Sequence, residues 1–225
     1  TIAEMELTMF EKILQLPLFQ GLTTNEISEV LSHIRLDFVN YQAGDEFVIQ
    51  GDACKGLIYI INGEIASEYR DSQGRFTFSE KLPQTGVIEP YNMFGMFQKY
   101  SRSYIFTTDG CTLTIEKPMV LKYLMSNNII KINLLNIVCN RYQQTQRLLC
   151  DYPEDTVKNK IVKFLLSYSS IPKGGKEVHI KMTDMAKIIH ETRLNVSKAL
   201  NIMQKEGLII LQRNMLTIKN IKDLY

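Results

Sequence analysis

The sequence has no cysteine pair at C-x-x-C spacing, no long apolar run and no histidine between residues 36 and 118. Each absence excludes something. The four cysteines, Cys54, Cys111, Cys139 and Cys150, are scattered, so neither a zinc site nor a redox motif is indicated and ordinary buried thiols are expected. No apolar stretch approaches the roughly 18 residues that cross a bilayer, so no membrane partner is expected. Thr1-Ile2-Ala3-Glu4-Met5-Glu6 is acidic and lacks a signal-peptide layout, which leads to the expectation of a cytoplasmic protein. Net charge is small too. The formal net of +2 is weak evidence for a polyanionic partner.

The 225 residues, 45% hydrophobic and 22% charged, suit one large or two modest domains with real cores. The charge is unevenly spread. Residues 151–225 carry 13 Lys/Arg and 8 Asp/Glu, a net of +5, and the first 150 carry a net of −3. A basic C-terminal third suits a small nucleic-acid-binding domain, or a chance surface asymmetry.

Periodicity divides the chain. Residues 4–34 read as helical, with apolar side chains at Phe10, Ile13 and Leu14, then Ile27, Val30, Leu31 and Ile34. Pro17 and Gly21 break this stretch, and Thr23 or Thr24 with Glu26 can cap its second half. From 36 to 118 short β-rich segments such as Leu57-Ile58-Tyr59-Ile60-Ile61 alternate with turns such as Asn62-Gly63 and Asp109-Gly110, the pattern of a sandwich or barrel. Residues 118–151 return to helix, with Pro118 at its start. Leu134, Leu135, Val138, Tyr142, Thr145 and Leu149 mark a dimerisation face, unless the helix is wholly buried in one monomer. Asp151 to Asp155 reads as a hinge. The expected divisions are 1–117, N-terminal helices and a β-rich sandwich or barrel; 118–151, a long helix that pairs with a second chain; and 152–225, a basic C-terminal module.

The most informative stretch runs from Met182 to Met203. Thr183 is a natural cap for a helix turning Met185, Ala186 and Ile189 inward, and a turn follows near His190-Glu191. Thr192 then caps a second helix with Val196, Leu200 and Met203 at core spacing. Arg193, Asn195, Ser197 and Lys198 are left facing outward near its start. Arg pairs bidentately with guanine and Asn with adenine; Ser and Lys suit phosphates or base edges. Leu208–Leu211 and Met215–Ile218, turning at Gln212-Arg213-Asn214, outline a wing that places Arg213 beside the duplex. The bland alternative is a helical hairpin with a solvated face.

The chain resembles the cyclic-AMP-receptor-protein/fumarate-nitrate-regulator (Crp/Fnr) superfamily over nearly its whole length. The resemblance is carried by Leu16-Pro17-Leu18-Phe19-Gln20-Gly21-Leu22, Gly44 to Asp52, Ile58 to Gly63, Thr192 to Leu200 and Glu206-Gly207-Leu208-Ile209. It implies an α+β fold: a cyclic-nucleotide-binding-like double-stranded β-helix, a long dimerisation helix and a C-terminal winged helix-turn-helix. It implies a bacterial transcription regulator that binds a palindromic operator as a homodimer and contacts RNA polymerase.

The resemblance fails in places. The family's cyclic-AMP cassette has Gly-Glu, which binds the ribose, and then Arg-Ser/Thr-Ala, whose Arg neutralises the phosphate. Here Pro90-Tyr91 replaces Gly-Glu in a segment containing Gly86 and Glu89. Arg102-Ser103 is kept, but Tyr104 stands where a small residue is expected. Cyclic AMP is therefore not expected. The effector pocket, if used, would involve Gly86, Glu89, Tyr91, Arg102, Ser103 and Tyr104, with an unknown effector or none. The family's iron–sulfur sensors need clustered N-terminal cysteines, absent here, and a haem sensor needs an axial ligand. His33 reads as a helix residue, His179 as a strand residue and His190 as part of the turn. In the recognition helix Leu194 and Lys198 replace the family's usual Glu and Arg, so a different half-site is expected. Two rivals remain. A metal-holding β-barrel enzyme needs histidine ligands that the β-region lacks. A cyclic-nucleotide-binding-like module regulating a protein partner leaves the winged terminus unexplained.

Overall fold

The computed structural model describes residues 9–82, 86–150, 153 and 155–225, apart from the side chains of 9, 10 and 148–150. Two short helices, α1 (Met9–Leu14) and α2 (Thr24–Ser32), flank a 3-10 turn at Pro17–Phe19. Thr23 and Glu26 form the anticipated capping box. The Thr23 hydroxyl accepts from the Glu26 N–H at 3.4 Å, and the Glu26 carboxylate accepts from the Thr23 N–H at 2.7 Å.

Eight strands follow: β1 (Asp37–Tyr41), β2 (Glu46–Val48), β3 (Gly56–Asn62), β4 (Ile65–Arg70), β5 (Phe76–Leu82), β6 (Gly86–Ile88), β7 (Ser103–Phe106) and β8 (Gly110–Glu116). All their pairings are antiparallel. One layer has the order β1-β8-β3-β6; the other contains β5-β4-β7-β2. Leu57, Tyr59, Ile65, Phe106, Leu113 and Ile115 are buried in the core of this β-roll. The Asn62-Gly63 turn connects β3 to β4. Gly63 has φ 91°, and a Cβ there would lie 2.7 Å from the Gly110 backbone, so only glycine fits.

The helical stretch expected over 118–151 is interrupted. The first helix, α3 (Lys117–Lys122), begins with Pro118 in its first turn. A 3-10 turn at Leu124–Ser126 follows. The Asn127 side chain then accepts from the N–H groups of Ile129 and Ile130, at 2.9 and 3.2 Å, and starts α4 (Asn128–Cys150). With 23 residues, α4 is about 34 Å long. Of the expected hinge, Asp151, Tyr152 and Glu154 lie outside the described residues.

The C-terminal module comprises α5 (Val157–Ser167), β9 (Lys176–Ile180), α6 (Met182–Ile188), α7 (Arg193–Lys205), β10 (Ile209–Gln212) and β11 (Met215–Ile218). β10 and β11 form the wing and pair onward to β9. β9 then pairs with β5 of the β-roll, from Phe76 opposite Ile180 to Glu80 opposite Lys176. One sheet of seven strands, β10-β11-β9-β5-β4-β7-β2, thus runs through both parts. Phe76 and Phe78 of β5 belong to the module's core, and Phe76 lies 5.2 Å from the Phe164 ring and 4.9 Å from the Tyr168 ring. Such aromatic packing adds to the area buried.

Candidate nucleic-acid interface and sensor recess

The two helices α6 and α7 cross as the apolar spacing requires. Met185, Ala186 and Ile189 of α6 and its end, and Val196, Leu200 and Met203 of α7, are all buried in one core. The turn between them passes through His190, whose φ of 54° is left-handed, a conformation unusual for a residue with a Cβ. Thr192 caps α7, its hydroxyl accepting from the Asn195 N–H at 3.1 Å. Thr183 does not cap α6. The extended residue before that helix is Lys181, whose carbonyl accepts from Asp184 and Met185, so Thr183 is an exposed residue inside the first turn.

Packing one face of α7 leaves the other free. Arg193, Leu194, Asn195 and Lys198 are exposed and Ser197 is half-buried. Leu194, an apolar side chain in the first turn of α7, is 62% exposed. Arg213 is exposed at the wing turn, beside Asn214 with its left-handed φ of 59°. Sequence reasoning assigned nothing to Glu191, yet it ties the start of α7 down. Its carboxylate accepts from Lys160 of α5 at 2.7 Å and from the Asn195 side chain at 3.3 Å. These bonds, Lys160 foremost, hold the Glu191 carboxyl below its ordinary range. The Asn195 side-chain amide is thus engaged by Glu191. No pattern in the sequence pairs Glu191 with Lys160, which lies 31 positions away.

A cavity of about 270 Å³ separates the β-roll from α4. Its walls are mainly apolar: Ile60, Ile65, Leu82, Val87 and Ile88 from the roll and Ile137 from α4. Asn140, Arg141 and Gln144 of α4 also line it, with Ser170 and Ile171 of the module. Gly86, Glu89, Tyr91 and Tyr104 are brought together on it; Arg102 and Ser103 are not. Glu89 is buried, with a left-handed φ of 38°. Its carboxylate accepts from the Ser101 N–H and hydroxyl, both at 2.7 Å, from Asn92, and from the Tyr104 hydroxyl at 2.9 Å. Burial and the nearby Glu89 charge push the Tyr91 hydroxyl up to about 12, and the same causes raise Tyr104. Arg102 is committed elsewhere. It donates to Glu80 at 3.2 Å and to the Tyr168 carbonyl, and lies 5.9 and 5.8 Å from the Tyr69 and Phe78 ring centres.

On α4, Leu134 is 4% exposed and packs into the β-roll core of its own chain, so it cannot serve the dimer face expected of it. Val138 is half-buried, and Leu135, Tyr142 and Thr145 are exposed. The Leu149 side chain lies outside the described residues. The residue that sequence reasoning missed is Ile132, 57% exposed one helical turn before Leu135 and Asn136.

Residues 159–225 match the Crp-like helix-turn-helix domain family. No curated protein matches the chain in sequence. The fold is similar to that of a protein from Eubacterium rectale assigned to the Crp/Fnr family of transcriptional regulators, with 19% identity and TM-score 0.54, covering 93% of this chain and 96% of that one. It is also similar to CLP, the c-di-GMP responsive global regulator of Xanthomonas campestris, with 15% identity and TM-score 0.50, covering 88% and 99%. Among the described residues no helix is long and apolar enough to cross a membrane.

Proposed function

We propose that this chain, a DNA-binding transcription regulator of the Crp/Fnr type, binds a two-fold operator as a homodimer, with α7 in the major groove. The observation that carries the reading is the amino end of α7. Arg193, Asn195 and Lys198 project from a helix locked on α6 from behind, inside a domain that matches the Crp-like helix-turn-helix. Arg193 and Asn195 are assigned to base edges. Thr183, Thr192, Ser197, Lys198 and Arg213 are assigned to phosphates and adjoining edges. Leu194 presents a methyl-rich surface suited to thymine, in place of an acceptor for cytosine.

Dimerisation is assigned to α4. Ile132, Leu135 and Tyr142 are 57%, 58% and 63% exposed, and with Cys139 between them they follow the 3-4-3 spacing of a coiled-coil seam. Two copies joined there would present paired recognition helices, for which half-sites about one helical turn apart are expected. Cyclic AMP is not the effector in this reading. The family's phosphate-binding arginine is spent on Glu80, and Tyr104 occupies the room of a small residue. Any effector of the cavity is compact and largely apolar. Contact with RNA polymerase is carried over from the family resemblance, and no catalysis is assigned.

The test is selection of duplexes from a random pool by the full-length protein. Enrichment of two symmetry-related half-sites about one helical turn apart supports the reading, and absence of any enriched sequence overturns it.

A further inference from the structure

Among the described residues the two buried cations, Arg102 and Lys176, converge on one carboxylate. Glu80 lies in β5 where it meets β9, and its side chain is fully buried. One oxygen accepts from Arg102 at 3.2 Å and from the Ser170 N–H at 2.6 Å; the other accepts from Lys176 at 2.5 Å. Arg102 goes on to the Tyr168 carbonyl, and Lys176 to the Lys173 carbonyl at 3.0 Å. Glu80 and Arg102 belong to the β-roll, while Tyr168, Ser170, Lys173 and Lys176 belong to the DNA-binding module. The triad therefore bridges the two parts at the last rung of the β5–β9 ladder, with Glu80 directly opposite Lys176.

We infer that the Arg102–Glu80–Lys176 triad is a register latch, which fixes the DNA-binding module in one orientation on its own sensor and so sets where the recognition helix points. The rest of the seam does not fix register so sharply. A slip of β9 by two residues along β5 would keep every side chain on its own face and re-form one apolar pair, Phe76 opposite Val178 or Phe78 opposite Ile180 according to its direction. The same slip would pull Lys176 off Glu80, leaving the buried ammonium without its counter-ion and the carboxylate with Arg102 alone of its two cations, which is disfavoured. Burial opposes ionisation of Glu80, but Arg102 and Lys176 together outweigh it and hold the carboxyl below its ordinary range. Lys176 is itself lowered, because burial and the Arg102 charge outweigh its share of a carboxylate divided between two cations. The latch also adjoins the sensor cavity. Ser170, whose N–H is held by Glu80, lines that cavity. The docked module keeps Arg193, Asn195 and Lys198 exposed, so the latched arrangement leaves the amino end of α7 open to a duplex.

The functional half of this inference rests on the DNA-binding reading; the latch itself does not. The test compares full-length protein with Glu80→Gln. Hydrogen exchange is followed in β9 and α7, and affinity is measured for the selected operator and for a random duplex. The expected result is β9 exchange faster by about tenfold or more, α7 exchange unchanged, operator affinity at least about tenfold weaker and random-duplex affinity within about twofold. Unchanged β9 exchange, or faster exchange with operator affinity intact or raised, overturns it. The triple variant Arg102→Met, Glu80→Leu, Lys176→Met separates register from adhesion and carries the test if Glu80→Gln fails to fold. A folded triple variant with weakened operator binding supports the latch, and full operator affinity reduces the triad to simple adhesion and overturns it. Failure of the wild-type protein to bind any operator would refute the DNA reading, while the exchange data would still decide whether the seam is latched.

Discussion

Replacing Arg193 with alanine separates base reading from charge. Arg193 is the first residue of α7 and is exposed, and the cap on that helix is made by Thr192, so truncation leaves the helix start intact. One bidentate arginine–guanine contact is worth about 1–3 kcal/mol of discrimination. A homodimer makes two, so the loss on the operator is about 2–6 kcal/mol, or roughly 30-fold to 20,000-fold in Kd at about 1.4 kcal/mol per decade. A phosphate contact behaves differently: its loss weakens all duplexes alike and flattens the log-log salt dependence by about 0.9 per contact. The assay is fluorescence anisotropy with the selected operator and a scrambled duplex, between about 50 and 200 mM salt. The expected outcome is a large loss on the operator, little change on the scrambled duplex, an unaltered salt slope and an unaltered melting temperature. Equal losses on both duplexes, with a shallower slope, would move Arg193 to the backbone. Unchanged operator affinity would remove it from the interface.

Other consequences can be checked separately. If α4 pairs in parallel along Ile132, Leu135, Cys139 and Tyr142, the two Cys139 side chains face each other across the axis, within the Cα separation of about 4.4–6.8 Å that a disulfide spans. Mild oxidation then gives a cross-linked dimer on a non-reducing gel that Cys139→Ser abolishes; a dimer in solution that never cross-links at Cys139 rules out this seam. Leu200→Ala, at a residue 3% exposed on the buried face of α7, is expected to cost about 2–5 kcal/mol in denaturant unfolding. Tyr59 is buried and, among the described residues, its hydroxyl has no partner, so Tyr59→Phe leaves stability unchanged or raises it by up to about 1 kcal/mol. The Arg75 guanidinium, hydrogen-bonded to Asp71, holds that carboxyl down at about 2. A depressed carboxyl stabilises the fold above its unfolded value of about 3.9 and ceases to as pH falls through the folded value. The stability gap between wild type and Asp71→Asn should therefore close as pH is lowered from about 5 to about 2; a gap that persists at the lowest pH contradicts this origin.

Local structure was legible where short-range chemistry sufficed. The Thr23–Glu26 capping box, the Asn62-Gly63 turn, the Thr192 cap and the inward faces of α6 and α7 all depend on residues within a few positions of one another. The misreadings have the same kind of cause. Thr183 is as good a cap as Thr192 by residue type, but Lys181 takes the extended conformation that begins α6. Nothing in the sequence sets Asn127 apart from other polar helix residues, yet its side chain caps α4. Apolar residues lie on several faces of that helix, so periodicity could not say that Leu134 turns to its own core while Ile132 is left outside.

By itself the sequence determined the order of parts: helices, glycine-punctuated strands, a long helix and a helix-turn-helix with its wing. It also named the outward residues of α7, because a helix that buries Val196, Leu200 and Met203 must expose Arg193, Asn195 and Lys198. Only the tertiary structure decided what Arg102 does. Its sequence context is that of an effector ligand, yet Glu80 stands beside it, held in turn by Lys176 from 96 positions further along the chain than Glu80. Which charges meet across a seam depends on how two segments distant in the chain pack together, and no periodicity of either segment records that.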